Sequence, residues 1–234
     1  MKNKRIGVVG NWTGPNSFGI TKPYLFYWSM FGDVELISPL DKSIRELDLL
    51  VLPGGPDVDV FRYLGPEDDI HLATGQPCMQ RERFDKMLLP KYIEANTPIY
   101  CTCRGMQSIA VHFGGKLNQH MNHETNPEHD RGKLVHGIKF VNQDVLPELA
   151  QFVSRLGKKK YEVNSLHHQT VHFPTLSEEA TVIAVHEKDN HIEAMTFWPN
   201  YPIHATQFHS EEMYDEFSEV LINHLLSLSD EEEI

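Results

Sequence analysis

Apolar residues gather along this chain in short unbroken runs more often than in strict alternation. RIGVVG (5–10), DVELIS (33–38) and LDLLVLPGG (47–55) each read as a strand, the last stopped by Pro-Gly-Gly. Continuous apolar strands belong to a parallel sheet covered on both faces. Residues 21–31 can form a helix between the first two strands. From Gln80 to Asn96, the positions Phe84, Met87, Leu88 and Ile93 recur at helical spacing and predict one amphipathic helix. PIYCTC (98–103) is a short strand that runs directly into RGMQSIAVHFGG (104–115), a helix closed by Gly114-Gly115. This alternation predicts a right-handed, doubly wound α/β fold. The second half offers short β-type segments instead: LVHGIKF, KYEVNS, ATVIAVH, HIEAMTFW and IHATQFH, then a helix from Glu212 to Leu228. No repeat, low-complexity block or Gly/Ser/Pro-rich linker intervenes. Residues 1–234 are therefore read as one domain with a mixed sheet, and 118–133 as a surface loop.

Composition removes several function classes. Hydrophobic residues at 40% and charged residues at 23% are ordinary for a globular enzyme. A net charge of -12 argues against a nucleic-acid partner, because no basic stripe is available to neutralise phosphates. Lys158-Lys159-Lys160, the one dense basic patch, reads as a solvated turn. No apolar run approaches the roughly 18 residues that span a bilayer, and the N-terminus lacks a signal-peptide pattern. The three cysteines cannot all pair, and a chain of this length needs no disulfide, so a reducing cytoplasm is expected. The acidic tail, 229–234, reads as a solvated end.

Two of those cysteines lie one residue apart, at Cys101 and Cys103. Where a strand enters a helix, the corner side chain projects from the C-terminal edge of the sheet, where ligands of open α/β sheets bind. The helix N-terminus supplies unpaired N–H groups and a partial positive charge that favour thiolate. Cys103 holds that corner. Cys101, two residues earlier, reads as core filler. Zinc spacing is poor, with no second cysteine pair downstream, and a disulfide across one residue would be strained. On this stretch alone, catalysis and packing stand about even.

Further stretches settle the comparison. PGGPDV, RERFD (81–85), CRGMQ, GGKLNQ, VNSLHHQ, IEAM and QFHSEE follow one another in an order that resembles the class I glutamine amidotransferases. More narrowly, the chain is similar to the peptidase C26 branch that contains γ-glutamyl-γ-aminobutyrate hydrolase. That resemblance implies a flavodoxin-like, mostly parallel sheet with helices on both faces. It implies Cys103 as nucleophile, His209 as the base that takes the thiol proton, and Glu211 as the carboxylate that orients His209. It places the oxyanion hole at the backbone N–H groups of Gly55 and Arg104, and the substrate pocket at Gly54, Gln107, Ser165, His167 and His168. No cofactor is implied.

Two positions depart from the family pattern. Cys101-Thr102 stands where Gly and then Ile or Val usually precede the nucleophile, and Ser210 stands where proline usually separates histidine and glutamate. The second change is expected to loosen the backbone and makes Glu212 a rival orienter. His167 reads as a loop brace, with His168 open to either role. Asp57 either contacts a ligand or begins a turn. Arg81 and Asp85 read as structural. Arg104 is expected either on a substrate carboxylate or in solvent. His120-x-x-His123 lacks convergent partners, so no metal is assigned.

Three readings follow. The first is a freestanding hydrolase of γ-glutamyl amides, acting on a small molecule through a thioester on Cys103. The second is a glutaminase subunit that delivers ammonia to a synthetase partner bound in trans, since no G-x-x-x-x-G-K motif is present. The third is a catalytically silent binding protein on the same fold. A homodimer stays open on all three.

Overall fold

The computed structural model describes residues 3–14, 17–122, 124–127 and 129–231. Its frame is a nine-stranded sheet. In chain order the strands are β1 (Arg5–Val9), β2 (Asp33–Ile37), β3 (Leu49–Leu52), β4 (Ile99–Thr102), β5 (His136–Phe140), β6 (Tyr161–Val163), β7 (Thr181–His186), β8 (Ile192–Thr196) and β9 (Ile203–Thr206). They lie in the order β2-β1-β3-β4-β9-β8-β7-β5-β6. The first five in that order run parallel, and the remaining pairings are antiparallel. The mixed sheet read from the sequence is the one found.

β3 and β4 are buried at every residue, as unbroken apolar strands must be when helices cover both faces. One core lies on each side of the sheet. Cys101, Phe84, Met106 and Ile109 belong to one, and Tyr27, Trp28, Tyr100 and Phe217 to the other. The helices are α1 (Lys22–Trp28), α2 (Met79–Met87), α3 (Leu89–Glu94), α4 (Arg104–His112), α5 (Pro147–Leu156), α6 (Ser210–Met213) and α7 (Glu216–Glu231). Among the described residues, no helix is long and apolar enough to cross a membrane.

Three differences from the sequence reading have local causes. The single helix expected over 80–96 is two, broken at Leu88. Pro90 lacks an amide hydrogen and its ring crowds the carbonyl four residues back, so it opens a new helix. The closing helix is also divided, at Tyr214, whose φ of 58° lies in the left-handed region. α5 is an addition to the expected elements, although Pro147 at its start, Leu149 and Phe152 on one face and Gly157 beyond its end spell a helix. His123 of the His120-x-x-His123 pattern, and 232–234 of the acidic tail, lie outside the described residues.

Candidate active site

β4 and β9 are parallel neighbours, with Thr102 beside Thr206 and Cys101 beside Ala205. Both end at the same edge of the sheet, and the Cys103 N–H donates to the Thr206 carbonyl at 2.8 Å. This pairing carries Cys103 and His209 to one place although 106 residues separate them. Cys103 has φ 52° and ψ -107°, a strained conformation for a side-chain-bearing residue, costing about 1–3 kcal/mol. Gly105 permits it: a Cβ there would meet the Leu52 carbonyl oxygen at 2.1 Å.

His209 is buried, and its Nδ1 lies 2.5 Å from Glu211 Oε1. With Nδ1 engaged, the other ring nitrogen is left for Cys103, whose charge as a thiolate acts on the imidazole. Burial opposes the imidazolium, but the charges of Glu211 and Cys103 overcome it and push His209 up to about 10. An imidazolium beside a thiol favours the thiolate. Asn164 fixes the backbone here: its Oδ1 accepts from the His209 N–H at 2.8 Å, and its Nδ2 donates to the His209 carbonyl at 3.1 Å. Glu212 is no rival to Glu211, because it turns outward and pairs with Arg131 at 2.7 Å.

Ser210 does not loosen this segment. Its buried hydroxyl lies 3.1 Å from Tyr100 Oη and 2.6 Å from Ser218 Oγ. Those bonds do the holding that proline's ring would otherwise do. Cys101 is fully buried in the core, and burial pushes its thiol well up, which keeps it protonated and inert. All three cysteines are free.

The Pro53-Gly54-Gly55 turn faces the same edge. Gly54 must lack a side chain, since a Cβ would meet His209 Cε1 at 2.6 Å. Its N–H donates to Tyr24 Oη at 2.8 Å, and its carbonyl accepts from Asn11 Nδ2 at 2.9 Å and Arg81 Nη1 at 3.3 Å. In a trans peptide the following N–H points opposite to that carbonyl, so the Gly55 N–H faces away from Asn11 and Arg81. The Arg104 N–H, first in α4, is among those with no acceptor inside the helix.

The Arg104 side chain occupies neither expected position. It is 1% exposed, paired to Asp85 at 2.7 Å and to Glu82, with Nε donating to the Pro56 carbonyl. Asp85 also accepts from Arg62 and Ser108, and Arg81 donates to the Pro53 carbonyl. The structural reading of Arg81 and Asp85 thus holds, and Arg104 joins them in bracing turn and helix.

Gln107 is buried and donates to the Gln169 carbonyl at 3.0 Å. Ser165 is fully buried, with its N–H held by Asn126. The Ser165 hydroxyl has no hydrogen-bond partner among the described residues. His167 braces its loop through Nδ1, 3.1 Å from the Gln169 carbonyl. His168 is partly exposed and lies 3.2 Å from Asp57 Oδ1. A cavity of about 600 Å³ lined by Leu47, Pro98 and Pro202 lies at the opposite, N-terminal edge of the parallel strands, away from this chemistry. Tyr24, Asn11 and Asn164 act on the site without standing out in the sequence as candidates. Asn164 sits in VNSLHHQ, but the partners of the other two are set by folding alone.

Comparison with known proteins identifies the family and the fold. The peptidase C26 family model matches residues 33–211. The glutamine amidotransferase-like protein YvdE of Lactococcus lactis is 33% identical over 189 residues, covering 77% of this chain and 75% of that protein. Protein NtpR of Enterococcus hirae is 31% identical over 132 residues, covering 55% and 52%. Among solved structures, a protein described as a GMP synthase subunit from Thermoplasma acidophilum superposes with a TM-score of 0.65 at 18% identity, covering 100% of this chain and 97% of that one. A glutamine amidotransferase from Thermotoga maritima gives 0.60 at 14% identity, covering 100% and 87%. At these identities the structural likeness speaks for the fold.

Proposed function

Because the chain belongs to the peptidase C26 family, we propose that it is a freestanding cysteine hydrolase of γ-glutamyl amide bonds, in glutamine or a γ-glutamyl amine. The observation that carries this reading is Cys103 on its left-handed turn beside the His209–Glu211 pair. The sulfur, its proton already held on His209, attacks the γ-carbonyl carbon as the thiolate. The carbonyl oxygen becomes an oxyanion held by the Gly55 and Arg104 N–H groups, each donor being worth roughly 3–4 kcal/mol to such a transition state. As the tetrahedral species collapses, the C–N bond breaks, and His209 returns the proton to the departing ammonia or amine. Water, deprotonated by His209, then hydrolyses the thioester. Throughout, Glu211 holds the ring in one tautomer.

Incubation with a mixed γ-glutamyl amide pool tests this. A γ-glutamyl adduct on Cys103, seen by mass spectrometry in the wild type and lost in Cys103→Ala, is the expected result, and the released amines identify the substrate. Absence of both adduct and amine release, with Cys103 alkylating normally, overturns it. A second reading draws support from the neighbour described as a GMP synthase subunit: glutaminase activity feeding a synthetase in trans. Glutamine turnover that is weak alone and rises strongly with a co-purifying partner favours that reading.

A further inference from the structure

Away from Cys103, the antiparallel half of the sheet buries a concentration of imidazole. His136 on β5, His186 at the end of β7 and His191 just before β8 are all buried, and Glu193 on β8 is fully enclosed among them. Glu193 Oε1 lies 3.1 Å from His136 Nε2 and 2.7 Å from His191 Nε2. The ligand atoms of these three residues all fall within 4.8 Å of one another. The second carboxylate oxygen, Oε2, has no hydrogen-bond partner among the described residues. An enclosed carboxylate with one oxygen unsatisfied is costly, and a cation held by this carboxylate offsets that cost.

We propose that His136, His191 and Glu193 form a binding site for a divalent transition-metal ion of the zinc type. Two imidazoles and one carboxylate suit zinc, whose bonds to such ligands are about 2.0–2.2 Å long and set tetrahedral donor separations of roughly 3.3 Å. The observed spacings approach this after small side-chain adjustments. His136 also lines a cavity of about 740 Å³ together with His120, Glu124, His168 and Asp189, which gives the ion an entry path.

The neighbouring trio His186, Asp189 and His191 converges too. It is the poorer claimant, because the His186 Nδ1 lone pair already faces the N–H groups of Lys188 and Asp189, each at 3.3 Å. The sequence could not show the first trio, since His136 and His191 lie 55 positions apart and meet only through strand pairing. An ion there stiffens the strand leading to the catalytic base: the Glu193 carbonyl accepts from the Gln207 N–H at 2.8 Å, two residues before His209.

The test is independent of the hydrolase reading. Full-length Cys103→Ser protein, which offers the ion no thiolate at that corner, is titrated with zinc chloride and cobalt chloride. One bound equivalent, a raised Tm and a cobalt spectrum of nitrogen and oxygen ligation without sulfur charge transfer are expected. Affinity falls by more than about 100-fold in Glu193→Gln and in His136→Gln. X-ray absorption on the zinc-loaded Cys103→Ser protein counts two imidazoles whether or not those variants fold. Failure to bind one equivalent overturns the site. So does binding that survives both substitutions and falls instead with His120→Ala, which puts the ion on the exposed imidazoles of His71, His120 and His168.

Discussion

Gly54 is glycine for a reason that appears only once His209 is in place: a methyl group there would strike the imidazole edge. Gly54→Ala is expected to displace the ring from Cys103 and to lower kcat by about 100-fold while the fold survives, measured as amine release from the best γ-glutamyl substrate. An unchanged kcat would remove the ring from the mechanism. Cys103, His209 and Glu211 can be read from the chain because each sits in a short motif whose spacing reflects local geometry. Choosing between Glu211 and Glu212 is harder. Neighbouring residues on a short helix face different ways, and only the structure shows one against the ring and the other on Arg131. Tyr24 and Asn11 are illegible for another reason. Their partners are backbone atoms of Gly54, 30 and 43 positions away, and no side-chain pattern records such a bond.

Strand β4 and helix α4 meet at a corner braced from below by charge. Arg62, Arg104, Glu82 and Asp85 form a buried network whose members span the short turn of helix at 60–62, α2 and α4. Removing one charge from such a set leaves the others uncompensated. Asp85→Asn is therefore expected to cost about 3–5 kcal/mol, read from urea denaturation, with Cys103 alkylation slowed as α4 shifts. Ser210→Pro is a milder change. Proline is accommodated at the first position of α6, but the bonds to Tyr100 and Ser218 are lost, so about 1 kcal/mol is expected to go while activity is retained. The strands are legible because burial on both faces writes a continuous apolar run. The break at Leu88 is less so, since Pro90 falls within an apolar period that continues on both sides. α5 is obscured by its setting: the segments on either side of it are strands, and Leu149 and Phe152 alone bury its face.

Protonation of one ring reaches the stability of the entire fold. His209 rises from its ordinary 6.5 to about 10 in the folded state, where burial is outweighed by Glu211 and Cys103. A raised value means that folding favours the proton. The contribution is complete below about pH 6.5, declines as pH increases, and is gone once pH passes about 10. Denaturant titrations of wild type should lose stability across that window, and His209→Asn should flatten the loss; parallel curves for the two proteins would refute the coupling. At the same breadth, the sequence announces a mixed sheet but not which strands touch, because pairing order depends on contacts between distant segments. That order has a consequence for how the chain can change. Nucleophile and base hang from adjacent rungs joined by the Cys103 N–H and the Thr206 carbonyl, so the sheet, and not the outer loops, sets the distance between them. Transplanting the segments at 65–77 and 118–133 from a relative, which leaves Pro56 and Arg62 in place, should redirect which amide is cleaved while the sulfur's reactivity toward a simple alkylating agent stays as it was.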